Sequence, residues 1–499
     1  SDNEWLKKIP KILDLPNSPL SLKNGIWKTV NRLENWKILG SQISAKHLGN
    51  FKSLAVTVLK EIDPAFELPK EKRYAARMYG KEKKYSQELR GGIAEGLAML
   101  GSHPGLCSHC SPGEVEAACA SALNEILYEA DWLLWGSLNS VLPSLAEAAP
   151  NEFFRAVETA LVLTPCPFDV LFHEEGDAFF GRNYLIGLLW ALEGLAWDKD
   201  LFIRSCTILG ELASHDPGGQ SGNRPSNSLT TILLSWLPQT EAPFDKHKTV
   251  IDTLLKGNPD IAWNLIISLF PKKRHVSTGS YKPRWRMAIP DDYQKEISDA
   301  TYQEAVLFYT ECAVNIAFNN PSRISILIDR SSDLPAEVFD RLIDSLDSVS
   351  VSSLSEDQRL ELWENLKKFV NNNRQFKDAN WASQEHLLSR IESVANSLSP
   401  KKLFNRYRYL FKGNNADLYE KSDDFETQRR KFEEQRVTAI REIFQQDGIE
   451  GIIRFSEFVI SPRSVGDTLA VIEDDIITHT LLPHFLTVSD KKHRELVNG

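Results

Sequence analysis

Two cysteines and a histidine near residue 107 are the side chains best suited to binding a metal ion. Cys107, His109 and Cys110 stand close together, and His103 lies just upstream. Thiolate and imidazole groups at this spacing are typical zinc ligands, but a structural zinc site needs four ligands. The second ligand pair of a zinc-binding motif is missing. The pattern therefore favours ordinary thiols in a loop before a helix, with Cys107, His109 and Cys110 as the alternative metal site.

A basic and aromatic segment at residues 271–291 offers a different chemistry, the binding of a macromolecular partner. Guanidinium and indole groups suit phosphates, nucleobases or an acidic protein surface. In the opposing interpretation, Trp285 packs the loop onto the helices and the arginines pair with local carboxylates. The sequence leaves both open. The candidate partner-binding residues are Lys272, Lys273, Arg274, Tyr281, Arg284, Trp285 and Arg286.

Motifs of nucleotide-binding and hydrolytic enzymes are absent from the sequence. No glycine-rich loop ends in Gly-Lys-Ser/Thr, and the glycine cluster at 218–222 follows a helical pattern instead of a strand. There is no Gly-x-Ser-x-Gly elbow, and none of the cysteines carries the local signature of a catalytic thiol. Acidic residues do flank His173 and His479, but such clusters are more often solvated helix faces than catalytic groups. We therefore predict a non-catalytic protein without a cofactor.

Composition limits the class of protein further. The 499 residues are 42% hydrophobic and 25% charged, as in ordinary globular proteins, and the net charge of −10 argues against a general nucleic-acid or membrane binder. No apolar run reaches the ~18 residues of a membrane span, and the chain opens without a signal-peptide pattern. Six cysteines fall mostly within apolar helical stretches, which is typical of a reducing compartment. These features predict a cytoplasmic protein without a membrane partner.

The hydrophobic pattern along the chain is helical. In residues 114–135, apolar side chains recur every three or four positions, and Ser111, Pro112 and Glu114 resemble a capped helix start. Similar starts stand at Asn258-Pro259, Ser355 with Gln358, and Ser461-Pro462. Sustained β alternation is absent, and the best strand candidate, Ile324 to Ile328, suits a helix equally well. We expect the tryptophans to be mostly core residues; those within apolar helical patterns are Trp27, Trp36, Trp132, Trp135, Trp190, Trp197, Trp236 and Trp263.

A weak internal repeat indicates how the helices are organised. The segments that begin at Leu142 and Leu192 share a helix, a tight turn and a second helix, with a spacing of about 50 residues that is in the range of helical solenoids. We predict an all-α fold, a tetratricopeptide- or HEAT-like solenoid of about twenty helices. The predicted parts are an N-terminal helical array at 1–215, helices with two long irregular loops (215–228 and 271–291) at 216–298, and a C-terminal array at 299–499.

Several stretches together resemble a known family. They are Asp63-Pro-Ala-Phe-Glu-Leu-Pro69, residues 85–100, residues 188–197, Asp216-Pro-Gly-Gly219, residues 222–229 and Pro283-Arg-Trp-Arg286. The pattern resembles the C-terminal helical-repeat region of prokaryotic antiviral STAND-type NTPases, over most of the chain. In that family an effector and an ATPase precede a tetratricopeptide-like sensor that binds a phage protein.

The resemblance implies a function and a partner. This sequence lacks effector and ATPase motifs, so the resemblance implies a sensor region that belongs to a longer chain or a stand-alone relative. The expected partner is a phage protein, with terminase or portal as the first candidates. No ligand-contact residues can be transferred, because sensor surfaces differ with their targets. We thus predict a non-catalytic protein-binding scaffold; the alternative is a helical scaffold that binds nucleic acid through the loop 271–291.

Overall fold

Nearly all regular structure in the described part of the chain is helical. The computed structural model describes residues 2–173, 183–219, 222–271, 277–287, 289–290, 293, 297–318, 320–348, 354–375, 385–412 and 425–472. Within these ranges the chain forms 22 α-helices and one two-stranded sheet. The all-α prediction with about twenty helices is confirmed. None of these helices is long and apolar enough to cross a membrane.

The first fourteen α-helices lie before residue 270. They are α1 (Asp2–Leu13), α2 (Arg32–Leu39), α3 (Ala45–Leu59), α4 (Gln87–Ser102), α5 (Glu114–Leu127), α6 (Trp132–Leu138), α7 (Leu142–Ala148), α8 (Pro150–Leu161), α9 (Pro167–His173), α10 (Ile186–Ala196), α11 (Phe202–His215), α12 (Pro225–Leu233), α13 (Phe244–Gly257) and α14 (Pro259–Ser268). Short 3₁₀ helices stand at Gly40–Gln42, Pro64–Glu67, Lys70–Tyr79 and Pro104–Leu106.

The other eight α-helices follow residue 298. They are α15 (Asp299–Ala317), α16 (Pro321–Asp329), α17 (Ala336–Ser348), α18 (Glu356–Gln375), α19 (Glu385–Ser397), α20 (Leu403–Tyr407), α21 (Phe425–Phe458) and α22 (Pro462–Val471), with 3₁₀ helices at Ser331–Asp333 and Arg408–Phe411. Helix α21 is interrupted at Gly448, which has a φ of 63°.

A β-hairpin near the N-terminus was not predicted. Strand β1 (Leu20–Lys23) pairs antiparallel with β2 (Ile26–Thr29) across the turn Asn24-Gly25. Both turn residues have positive φ, 54° and 77°. An Asn-Gly pair favours this two-residue hairpin turn, so the local signal was present although the strands are short. The strand candidate Ile324–Ile328 lies in helix α16 instead.

Helix starts follow the predicted capping patterns in most cases. At α18, the Ser355 N–H donates to Gln358 Oε1 at 3.0 Å, and the Gln358 N–H donates to Ser355 Oγ at 3.2 Å. In this reciprocal pair, two backbone N–H groups at the exposed start of the helix each find a side-chain acceptor. Helix α5 begins at Glu114, two residues later than Pro112, because Gly113 has a left-handed φ of 79°. The Glu114 carboxylate still accepts the Ser111 N–H at 2.8 Å.

Six of the helices between α4 and α11 form two rows, α4–α7–α10 and α5–α8–α11. Helix α7 contacts both α4 and α10, while α8 contacts α5 and α11. The pairs α4/α5, α7/α8 and α10/α11 are also in contact within themselves. The approach of α4 to α7 is close enough to require a glycine, since a Cβ on Gly101 would lie 1.8 Å from the Ala148 carbonyl oxygen. These helices therefore form a continuous set of neighbouring pairs.

The chain divides into two compact units. The first contains Ser1–Leu269 and Lys273–Ala305, and the second contains Phe270–Lys272 and Val306–Gly499. In the second unit, α18 packs against α16 and α19, and a separate core joins α20, α21 and α22. The predicted division into 1–215, 216–298 and 299–499 stays a prediction.

The tryptophans do not all lie in the core. Trp135, Trp197 and Trp263 are buried, as predicted, whereas Trp27 and Trp190 are 42% and 40% exposed. Trp27 stands in the short hairpin, where only one partner strand is available to cover it. Trp190 stacks on Tyr281 of the loop 277–287, and a ring that packs on a surface loop retains an open edge. The core prediction is thus wrong for these two side chains.

Candidate functional site

The basic and aromatic loop at residues 277–287 lies on helices of the first unit and is anchored by a row of glutamates. Helices α4, α7 and α10 carry Glu95, Glu147 and Glu193, which we call the glutamate row. All three carboxylates contact the loop. Each is followed by a small residue, Gly96, Ala148 or Gly194. The loop therefore crosses three helices that are neighbours in the array.

Glu147 binds the loop through its backbone. Its carboxylate accepts the N–H groups of Arg284 at 3.0 Å, Trp285 at 2.6 Å and Arg286 at 2.9 Å. The residue is only 3% exposed. A buried carboxylate is costly unless donors surround it, and three backbone amides meet that requirement. The same contacts fix the backbone of the loop at the residues that carry its basic side chains.

Glu193 provides a second anchor. One carboxylate oxygen accepts the Tyr281 N–H at 2.7 Å, and the other accepts the Ser228 hydroxyl of α12 at 2.5 Å. Burial raises the pKa of Glu193, while the hydrogen bonds from Ser228 and Tyr281 act in the opposite direction. Burial has the larger effect, because desolvation penalises the charged form of a carboxyl group. This end of the loop is thus tied to α10 and α12 together.

Aromatic contacts hold the same end of the loop. The Tyr281 ring stacks on Trp190, with centroids 5.5 Å apart and planes 13° apart. The Trp197 indole N–H donates to the Tyr281 carbonyl at 3.0 Å and reaches Ser280 Oγ at 3.1 Å. A Cβ on Gly194 would lie 3.4 Å from the Tyr281 ring, so the small residue leaves room for the tyrosine. Burial raises the pKa of Tyr281, which keeps its hydroxyl neutral.

The two arginines of this loop are exposed, although each makes one contact with a residue of the glutamate row. The Arg284 side chain is 65% exposed, with its Nη1 3.4 Å from the Glu95 carboxylate. Arg32 also pairs with Glu95. Arg286 Nη1 donates to the Glu147 carbonyl at 3.3 Å, and the residue as a whole is exposed. The surface ion pair of Arg284 is weak, so its guanidinium group is available to a partner, whereas Arg286 would exchange its hydrogen bond to the Glu147 carbonyl for one to the partner.

Trp285 partly matches the packing interpretation. The residue is half-buried, and among the described residues its buried indole N–H has no hydrogen-bond partner. The buried carboxylates and Tyr281 anchor the loop in addition to this half-buried indole. Lys272, Lys273 and Arg274 lie outside the described residues. The structure thus combines features of both sequence interpretations: the backbone is packed, and the arginines are exposed.

The signal for the glutamate row was present in the sequence but was not used. Glu147 and Glu193 are the only charged residues of α7 and α10, whose other side chains are small or apolar. A lone glutamate in an apolar helix indicates a buried carboxylate with partners. Their partners in the loop, however, are 88 to 139 residues away along the chain. Their identity could not be read from spacing.

A second basic and aromatic segment, the 3₁₀ helix Lys70–Tyr79, was also passed over. Its Tyr74, Met78 and Tyr79 are exposed, with Met78 at 88%. The Lys72 ammonium lies 5.7 Å from the Tyr79 ring centroid. The contacts described for this segment include no buried glutamate that binds its backbone, as Glu147 and Glu193 bind the loop 277–287. The segment is nevertheless a competing candidate surface for a partner.

The three candidate metal ligands near residue 107 do not converge. The His109 ring contacts the Ser41 carbonyl, and the Cys110 thiol donates to the Ile43 carbonyl at 3.5 Å. Cys107 is buried, and burial raises the pKa of its thiol. In the parts of the chain that the structure describes, the ligand atoms that do converge belong to Cys166, Asp169 and His215, which lie within 4.8 Å of one another. The sequence interpretation did not select that group.

Comparison with known proteins supplies no family for this chain. No protein-family model matches the sequence, and no curated protein is significantly similar to it. The resemblance to the STAND sensor region therefore stays an expectation, and the geometry of the loop and its anchors is the main support for a function.

Proposed function

We propose that this chain is a non-catalytic protein-binding scaffold, the ligand-sensing repeat region of an antiviral STAND-type NTPase that recognises a phage protein. Terminase and portal proteins are the first candidate partners, and the ATPase and effector would belong to the same longer chain. The proposal draws on the resemblance of the sequence and on one structural observation. That observation is a loop whose backbone is fixed by buried carboxylates and whose arginines face outward.

The anchored loop favours binding for an energetic reason. Ordering a flexible loop on association costs free energy, and a loop that is already ordered avoids that cost. Three amides on Glu147 and one on Glu193 order this loop in the free chain. Arginine and large aromatic side chains are the residues most often found as binding anchors. Arg284, Arg286 and the partly exposed Trp190 supply both types on one surface.

The sequence in which helix pairs contact one another supports the proposal that this region is built from repeats. The pairs α4/α5, α7/α8 and α10/α11 each contact the next, as helix pairs do in tetratricopeptide and HEAT arrays. Glu95, Glu147 and Glu193 recur on the first helix of each pair, at roughly the spacing of the sequence repeat. A loop laid across three repeats would move with them, so binding at the loop would affect the packing of the array.

The test is a capture experiment with purified phage proteins. The full chain is immobilised and exposed separately to purified terminase and portal subunits from a panel of phages. A matched pair of double variants is run beside it, R284A/R286A and the control R155A/R454A. Arg155 and Arg454 are exposed arginines in weak ion pairs, and Arg155 is 64% exposed, as Arg284 is 65% exposed. Retention that falls only with R284A/R286A supports the proposal.

Nucleic acid is the second candidate, because the same outward arginines could bind phosphates. That function predicts binding of single-stranded DNA or RNA at low salt, with an affinity that falls steeply as salt is added. R284A/R286A would weaken it for every sequence tested. A variant of the competing segment, K72A/R77A, shows whether the signal arises elsewhere. Nucleic-acid binding lost only with R284A/R286A, together with no retention of phage proteins, would replace the proposed function with this one.

A further inference from the structure

Three side chains of metal-ligating type meet where helix α9 begins and helix α11 ends. Cys166 directly precedes α9, Asp169 lies in its first turn, and His215 is the last residue of α11. The two helices are in contact. One ligand atom from each side chain lies within 4.8 Å of the other two. This convergence joins residues that are almost fifty positions apart in the chain, which is why spacing did not reveal it.

The local geometry brings the ligand atoms toward one point. Cys166 stands one residue before α9 and Asp169 in its first turn, so both side chains lie at the start of the helix. The His215 Nδ1 lies 2.8 Å from Asp169 Oδ1. The Asp169 N–H donates to the Cys166 carbonyl oxygen at 3.2 Å, which fixes the backbone between these two residues. Asp169 and His215 are partly exposed, whereas Cys166 is buried.

This ligand set suits a borderline transition-metal ion. Sulfur, imidazole nitrogen and carboxylate oxygen bind zinc at about 2.0 to 2.3 Å. In a tetrahedron of that size the ligand atoms are separated by about 3.3 to 3.6 Å. The Asp169–His215 pair would open slightly from its hydrogen-bond distance of 2.8 Å. The sulfur, which lies within 4.8 Å of the other two ligand atoms, would move inward by roughly 1 to 1.5 Å at most. Side-chain rotations are sufficient for such movements.

We propose that Cys166, Asp169 and His215 form a binding site for a divalent transition-metal ion, with zinc as the best fit. Water would complete the tetrahedron on the exposed side. Binding releases the thiol proton of Cys166 to solvent and requires an ionised Asp169 and a ring nitrogen of His215 with a free lone pair. No change of oxidation state is involved. The ion would link the start of α9 to the end of α11, where the irregular segment before α12 begins.

The arrangement favours a metal over a catalytic thiol. The Cys166 thiol is buried, with the residue only 3% exposed, whereas a nucleophilic cysteine must be accessible to its substrate. A bound dication provides the positive charge that turns such a thiol into a thiolate. The site is separate from the glutamate row, so its test does not depend on the function proposed above.

The experiment uses the full chain, stripped with a chelator and then titrated with Co²⁺ as a spectroscopic substitute for zinc. We expect one equivalent to bind, with a thiolate-to-cobalt charge-transfer band and the intense visible bands of a tetrahedral site. Zinc should displace the cobalt. In C166S the charge-transfer band should vanish, and in H215Q and D169N the affinity should fall by more than about 100-fold, since each removes a direct ligand.

Matched controls use the other cysteine–histidine group. C110S and H109Q remove a partly exposed thiol and an imidazole of the loop near residue 107, and both should bind cobalt as the unchanged chain does. Asp169 and His215 are partly exposed, so D169N and H215Q test the site even where C166S fails to fold. Absence of cobalt binding by the unchanged chain would overturn the proposal. So would a charge-transfer band that survives C166S, or one that disappears in C110S.

Discussion

Two loops that interrupt the first unit are closed in opposite ways. In the segment between α11 and α12, Arg224 reaches back to Asp216 in an ion pair of 2.6 Å, and both side chains are nearly buried. In the loop 277–287, backbone amides are bound by glutamates of distant helices, and Arg284 remains exposed. The first loop uses its arginine to close itself. The second is closed by its backbone, which leaves its arginines for a partner.

The contrast between a loop closed by a side chain and one closed by its backbone shows which side chains can bind a partner without loss of stability. A side chain that holds a loop in place cannot also bind a partner without releasing that loop. Backbone amides carry no sequence information, so anchors that bind them leave the choice of side chains free. Under the proposed function, Glu147 and Glu193 would anchor the loop whatever side chains stand at positions such as 284 and 286.

Removal of Glu147 should have the largest effect on stability. E147A leaves the amides of Arg284, Trp285 and Arg286 without their acceptor, and we expect the free energy of unfolding to fall by about 4 kcal/mol. E147Q retains one acceptor oxygen and should cost roughly half as much. Urea denaturation measures the loss, and hydrogen exchange of the three amides locates it. Unchanged protection of these amides in E147A would show that Glu147 is not their anchor.

Breakage of the ion pair in the other loop should have the next largest effect. R224A leaves Asp216 nearly buried without its guanidinium partner, which should lower the free energy of unfolding by about 3 kcal/mol. The exposed control R155A should change it by less than about 0.5 kcal/mol. Both are measured by urea denaturation. Equal effects of R224A and R155A would remove the contrast between the two loops.

Glu193 makes the stability of the anchored loop depend on pH. Its folded-state pKa is raised by burial, so the folded chain binds this proton more tightly than the unfolded chain does. Stability from this group is therefore greatest in acid and falls as the pH rises above its unfolded pKa of about 4.3. E193Q cannot titrate, so the unchanged chain should lose stability relative to E193Q from about pH 4 upward. Parallel curves for the two proteins would contradict the assignment.

The smallest effect is expected at Glu95. E95Q weakens two exposed or half-exposed pairs, with Arg284 and Arg32, and should change the free energy of unfolding by less than about 0.5 kcal/mol. It should also leave the amides of residues 284–286 protected, because Glu147 holds them. Thermal melting and hydrogen exchange provide the readouts. A loss comparable to that of E147A would mean that side-chain pairs, and not the backbone contacts, hold this loop.

Local rules predicted the helices but not the long-range contacts. The class of fold, most helix starts and the Ser355–Gln358 cap follow from periodicity and capping chemistry, which act within a few residues. The Asn24-Gly25 hairpin had a local signal that short strands obscured. The contacts of Glu147 with the loop and the convergence of Cys166 with His215 are different. They depend on which helices become neighbours, and nothing in the local pattern specifies that.

The most direct test of the central claim is the affinity of a captured phage protein for the matched arginine variants. An outward-facing arginine pair on a fixed backbone predicts that R284A/R286A binds at least about tenfold more weakly, with unfolding free energy unchanged. R155A/R454A should bind within about twofold of the unchanged chain. Equal affinities for both double variants would contradict the account, because the loop 277–287 would then take no part in recognition.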